Sequence, residues 1–85
     1  MKKTSLHNYL AITRQASGLS QMEVAKRLGF DSSQFISNVE RGISLPPLGK
    51  LRKYVKTIKA DENVVYFYML DVYSKKIQGA LSGGK

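Results

Sequence analysis

The stretch from Ser20 to Gly42, SQMEVAKRLGFDSSQFISNVERG, constrains this chain more than any other. Wound at 100° per residue, Val24, Ala25 and Leu28 fall within about 100° of arc, with Glu23, Lys26 and Arg27 opposite. That predicts an amphipathic helix over Gln21 to Leu28, with Ser20 as its N-cap and Gly29 as its stop. Phe30 is an apolar residue in a turn and is expected to plug into the core. Asp31 and Gln34 have capping-box spacing, which predicts a second helix from Ser33 to Arg41, ended by Gly42. Two short helices on a tight turn cannot bury their apolar stripes alone, so the rest of the chain must buttress them.

On the second helix Phe35, Ile36 and Val39 share one face and Ser33, Gln34, Ser37, Asn38 and Arg41 the other. An ordinary solvated face favours Lys and Glu. This one offers Gln, Asn, Ser and Arg, side chains that hydrogen-bond base edges and phosphates.

These residues carry a resemblance. Ser20-Gln21, Val24-Ala25, Leu28-Gly29, Ile36-Ser37, Val39 and Glu40-Arg41-Gly42 are similar to the helix-turn-helix of the λ-repressor/Cro-like (Xre-type) regulators. The likeness covers about residues 6 to 58. From Gly29 to Glu40 the chain is one residue longer than the commonest family pattern, with the extra residue near Asp31–Ser33, which implies an altered turn. The resemblance implies a compact all-α domain of five helices that binds DNA. It also implies that Gln21 contacts a phosphate and that Arg14 pairs with Glu40. The composition of the helix face makes Ser33, Gln34, Ser37 and Asn38 the candidates for base contacts. Arg41, Ser44 and Lys53 are further candidates for the phosphate backbone.

Eighty-five residues allow one domain with a small core, and the absence of cysteine removes disulfides and thiolate metal sites. Fourteen Lys and Arg against six Asp and Glu give a net charge of +8, the electrostatic footprint of a polyanionic partner. No helix combines a basic face with a Trp/Phe/Leu-rich insertion face, so nucleic acid is favoured over a membrane surface. No long apolar run follows Met1-Lys2-Lys3, so the reading expects a cytoplasmic protein without a signal peptide or membrane span. His7, the only histidine, has no sequence neighbours that make a metal site or a general base and is read as a rim residue. No nucleophile motif or phosphate-cradling glycine loop is present. The expectation is a non-enzyme with no cofactor and no metal.

Ahead of the central unit, a helix is expected from Leu6 to Ser17, capped by Ser5 and ended by Gly18. Its inner face is Leu6, Tyr9, Leu10, Thr13 and Ala16, with Arg14 on the border, where a charge needs a partner. After Gly42, Pro46-Pro47 hold an extended turn, and a fourth helix is expected from Pro47 to Ile58. Leu48, Leu51, Tyr54, Val55 and Ile58 line it, and Lys50, Arg52, Lys53, Lys56 and Lys59 cover the rest, as a solvated face or as a phosphate-attracting flank. Gly49 has no explanation in the sequence.

Residues 61 to 81 are rich in β-branched and aromatic residues, which suit a strand. Only a helical winding gathers Asp71, Ser74, Lys75 and Gln78 on one side, so a helix is predicted, with Asp61 as N-cap. Its apolar arc spans roughly 200°, about twice what one core contact needs. The surplus points to a partner, and Val65, Tyr66, Met69, Leu70, Tyr73 and Ile77 are the expected homodimer interface. The expected organisation is a DNA-binding core over 1–60, a dimerisation helix over 61–81 and a disordered tail over 82–85. The leading expectation is a sequence-specific double-stranded DNA-binding transcriptional regulator, a repressor acting as a homodimer on a pseudo-palindromic operator. The alternative is a protein-interaction module, of antitoxin or phage-adaptor type, whose tyrosine-rich last helix binds a different protein.

Overall fold

The computed structural model describes residues 5–82, and among these the chain forms five α-helices with no strand: α1 (Leu6–Ala16), α2 (Gln21–Arg27), α3 (Gln34–Glu40), α4 (Leu48–Ile58) and α5 (Glu62–Ser82). The all-α expectation holds. Helix boundaries follow local chemistry. Ser5 accepts the Asn8 N–H at the start of α1. Ser20 and Glu23 form a full capping box on α2: the Ser20 hydroxyl takes the Glu23 N–H at 3.0 Å, and the Glu23 carboxylate takes the Ser20 N–H at 2.7 Å. The Ser20 N–H, and next the Ser20 hydroxyl, hold the Glu23 carboxyl below its usual range. Gly18, Gly29 and Gly42 all have positive φ and close α1, α2 and α3 respectively.

Three local expectations are corrected. The capping box does not form at Asp31–Gln34; the Gln34 N–H goes to the Ser32 hydroxyl at 3.3 Å instead. Ser33, at φ −82° and ψ 1°, is turn-like rather than extended, so the chain enters α3 without the usual N-cap geometry. Pro47 is the residue before α4 rather than its first, because its ψ of 138° is extended. Ala16 is exposed, since the buried stripe of α1 is Leu6, Leu10 and Arg14 and Ala16 lies about 120° round the helix from its centre.

The core is Leu6 and Leu10 of α1, Val24, Ala25 and Leu28 around α2, Ile36 and Val39 of α3, Tyr54, Val55 and Ile58 of α4, and Val65 and Met69 of α5. At about 1.5–3 kcal/mol for each large aliphatic side chain fully buried, this shared cluster is the main force holding the helices together. Tyr9 ties the last helix to the first: its hydroxyl accepts the Asp61 N–H at 2.9 Å, and its ring lies 5.7 Å from that of Tyr68. The Ser17 hydroxyl donates to the Ile58 carbonyl at 2.6 Å and joins the ends of α1 and α4.

Only the first half of α5 touches this core. Every residue from Ser74 to Ser82 is exposed, and the helix runs about 31 Å at 1.5 Å per residue. Ser82, expected to begin a tail, closes the helix; the rest of that tail lies outside the described residues.

Candidate nucleic-acid interface

The recognition element is built from the inside out. Ile36 and Val39 fix the buried face of α3, and its polar face looks away from the domain. At its N-terminal end Phe30 stacks on Phe35, with ring centroids 4.8 Å apart, so the turn residue and the helix share one aromatic anchor. Lys50 of α4 reaches over the same ring at 5.4 Å and donates to the Leu28 carbonyl at 2.8 Å. It caps the C-terminal end of α2, where a cation suits both the free carbonyl and the helix dipole. Lys50 is therefore not part of the solvated basic face of α4; Arg52, Lys53, Lys56 and Lys59 remain exposed there.

At the other end of α3 the expected ion pair is present. Arg14 Nε donates to Glu40 Oε2, Arg14 Nη2 donates to Glu40 Oε1 at 3.1 Å, and the two side chains are only 11% and 7% exposed. Burial of this order would be costly without partners, and the remaining groups have them. Arg14 Nη1 donates to the Leu19 carbonyl at 2.7 Å, and Gln21 Nε2 donates to Glu40 Oε1 at 2.9 Å. One carboxylate thus locks α1, the start of α2 and the end of α3 together. The role of Gln21 widens accordingly: one amide hydrogen holds the lock, and the other is left to reach outward from the start of α2.

The five residues of the expected reading face occupy one side of α3. Ser33 makes no capping bond with its side chain, and Ser37 is half-buried. Gln34 Nε2 donates to Asn38 Oδ1 at 3.0 Å, and Arg41 Nη2 donates to the same oxygen at 2.9 Å. Past the helix, the Asn38 carbonyl accepts from the N–H groups of both Ile43 and Ser44, at 2.9 and 3.3 Å. Ser44 is half-buried beside the reading face, whereas Lys53 lies exposed on α4. His7 is a rim residue as expected, resting beside Gly42, where an added Cβ would come within 3.1 Å of its ring.

A family model described as a helix-turn-helix domain matches residues 6–65. The chain belongs to this helix-turn-helix family. Comparison with curated proteins and with solved structures returns no match. The helix-turn-helix match includes all of α1 to α4 and ends at Val65, near the start of α5. Among the described residues no helix is long and apolar enough to cross a membrane.

Two residues without a sequence signal, Leu19 and Lys50, complete the site. Leu19 contributes a carbonyl, which no side-chain pattern announces. Lys50 could have been singled out only by knowing that α4 crosses the end of α2. The interface expected on α5 is divided: Val65 and Met69 are 2% and 6% exposed and belong to the domain's own core, which corrects their assignment to a partner surface. Tyr66, Leu70 and Ile77 are exposed at 59%, 49% and 57%, and Tyr73 is half-buried.

Proposed function

We propose that this helix-turn-helix protein is a sequence-specific double-stranded DNA-binding regulator of transcription, a repressor that works as a homodimer on a pseudo-palindromic operator. The observation that carries the reading is the polar face of α3, braced from behind by the Arg14–Glu40–Gln21 lock. In the helix-turn-helix docking geometry, the second helix enters the major groove and the first crosses the backbone. Ser33, Gln34, Ser37 and Asn38 then face base edges. Gln21, Ser44 and Lys53 lie toward phosphates, and the net charge of +8 supplies the sequence-blind attraction.

The dimer is supported by the spacing of the exposed and half-buried residues on one side of α5. Tyr66, Leu70, Tyr73 and Ile77 follow one another at steps of four, three and four, the 3.5-residue period of a helix–helix seam. Continuing the steps reaches Ala80. This ladder lies beyond the matched family segment and about 90° round the helix from Val65 and Met69. A groove of about 800 Å³ between α4 and α5, lined by Leu48, Leu51, Val55, Tyr66, Leu70 and Tyr73, runs alongside it. A second copy of α5 fits a seam of this period. Two-fold pairing sets the recognition helices about 34 Å apart, one turn of B-DNA.

Selection of bound duplexes from a randomised library at roughly 0.15–0.2 M salt tests both parts, because that salt suppresses charge-only binding. The expected result is an enriched motif with two inverted half-sites about one turn apart. A single half-site removes the symmetric dimer. No enrichment from folded protein removes the DNA reading.

A further inference from the structure

The side chains on the reading face of α3 are not independent. Arg41 Nη2 lies 2.9 Å from the amide of Asn38, and a guanidinium offers only N–H groups. The atom it meets must be the carbonyl oxygen Oδ1. Gln34 meets that same oxygen at 3.0 Å, so the atom it presents must be the donor Nε2. One guanidinium thus sets the orientation of two amides in turn.

What each amide has left to offer then differs. Asn38 Oδ1 already accepts two hydrogen bonds, one for each lone pair, so its free group is Nδ2 with two donors. Gln34 keeps Oε1 as an acceptor and one Nε2 hydrogen as a donor. Bidentate reading of adenine needs an acceptor for N6–H and a donor for N7. Gln34 retains that combination; Asn38 does not. A group with donors alone matches guanine, whose N7 and O6 are both acceptors, or thymine O4; at adenine it can meet N7 only by setting an N–H against N6–H. The backbone of Asn38 is pinned too, its carbonyl held by two N–H groups, so only a turn of the side chain could restore the acceptor.

We propose that Asn38 reads its base pair as a donor only, selecting guanine or thymine, and that Arg41 is the positioning residue that excludes adenine there. The proposal rests on the DNA reading of α3 given above. It moves Arg41 from a sequence-blind phosphate contact to a determinant of which base Asn38 accepts. For Asn38 to read adenine, its amide must turn over and set its N–H groups against those of Arg41.

The test is library selection with the full chain and with its Asn38→Ala and Arg41→Ala variants. Asn38→Ala marks the position, because base preference disappears there. The wild-type chain is expected to favour guanine or thymine over adenine at that position by about tenfold. Arg41→Ala frees the amide, and adenine is expected to rise there to parity or above. Adenine favoured by the wild-type chain overturns the proposal and leaves DNA reading intact. So does an Arg41→Ala variant that merely weakens binding to all sequences equally. A wild-type chain that enriches no motif overturns both readings. Side-chain amide NMR signals of the free chain give a readout that needs no DNA. Those of Asn38 and Gln34 are expected to shift on Arg41→Ala, and signals that stay in place overturn the orientation.

Discussion

Removing Glu40 tests how the recognition helix is held. In Glu40→Ala the Arg14 guanidinium, only 11% exposed, loses two of its three hydrogen bonds and keeps the Leu19 carbonyl. Gln21 loses its partner as well. An uncompensated charge buried to this degree costs about 3–5 kcal/mol. A chain of this length has a total stability of about 4–13 kcal/mol, so the variant loses a large share of it. At about 4–8 °C for each kcal/mol in a small domain, the midpoint falls by at least about 12 °C. Urea unfolding followed by helical circular dichroism measures the loss directly. The double variant Arg14→Met/Glu40→Leu removes both charges and replaces them with apolar bulk. It is expected to recover most of the stability or to exceed it, because buried pairs barely repay their desolvation. A loss below about 1 kcal/mol in the single variant would place the pair with exposed salt bridges and refute the lock. So would a double variant as unstable as the single one.

Three further outcomes follow from the same geometry. Two lysines three residues apart on α4 are expected to behave oppositely. Lys53→Ala lowers DNA affinity uniformly and flattens the salt dependence by about one unit, whereas Lys50→Met costs about 1 kcal/mol of stability by uncapping Leu28 and leaves the salt slope alone; a salt titration of both variants decides. Gln34→Ala is expected to relax one base position at a cost of about 1–3 kcal/mol while folding stays intact, and equal loss on all duplexes would remove it from base reading. Tyr54→Phe is expected to hold stability or raise it by up to about 2 kcal/mol, since the buried Tyr54 hydroxyl has no hydrogen-bond partner among the described residues. Burial, and next the charge of Glu40, push that hydroxyl above its ordinary value, with Arg14 opposing. The folded state therefore keeps the proton longer than the unfolded one. Stability is full below about pH 10 and falls as pH rises beyond it. Alkaline melts of the Phe variant should lack that fall.

Much of this was legible in the sequence because it depends on local chemistry. Ser20 marks the start of α2, and Gly18, Gly29 and Gly42 mark turns that only a residue free at positive φ enters cheaply, whereas Glu23, read as a solvated residue, completes the capping box. The period of Val24, Ala25, Leu28, Ile36 and Val39 named the buried faces before any contact was known. The Arg14–Glu40 pair was legible for a different reason, through the resemblance, since no local rule joins residues 26 apart. The turn before α3 was misjudged because Asp31, Ser32 and Ser33 are all competent caps. Composition could not say which of them the backbone would favour. In the folded chain the Gln34 N–H is taken by Ser32, two residues back.

The division of α5 explains why Val65 and Met69 were assigned to a partner surface. Apolar residues spread over a wide arc cannot be sorted by sequence into those that face the home core and those that face a partner, since both kinds satisfy a helical period. The fold sorts them. Val65 and Met69, four apart, dock the helix onto the domain. Tyr66, Leu70 and Ile77 stand exposed to one side, with the half-buried Tyr73 between them, in a 3.5-residue rhythm. Single charges therefore separate the two faces experimentally. Leu70→Lys should leave the fold intact and the chain monomeric in sedimentation, because its side chain already meets water in the isolated domain. Val65→Lys should unfold it. If Leu70→Lys left a dimer unchanged, the ladder would belong to a different protein, and the α4–α5 groove would be where to seek it.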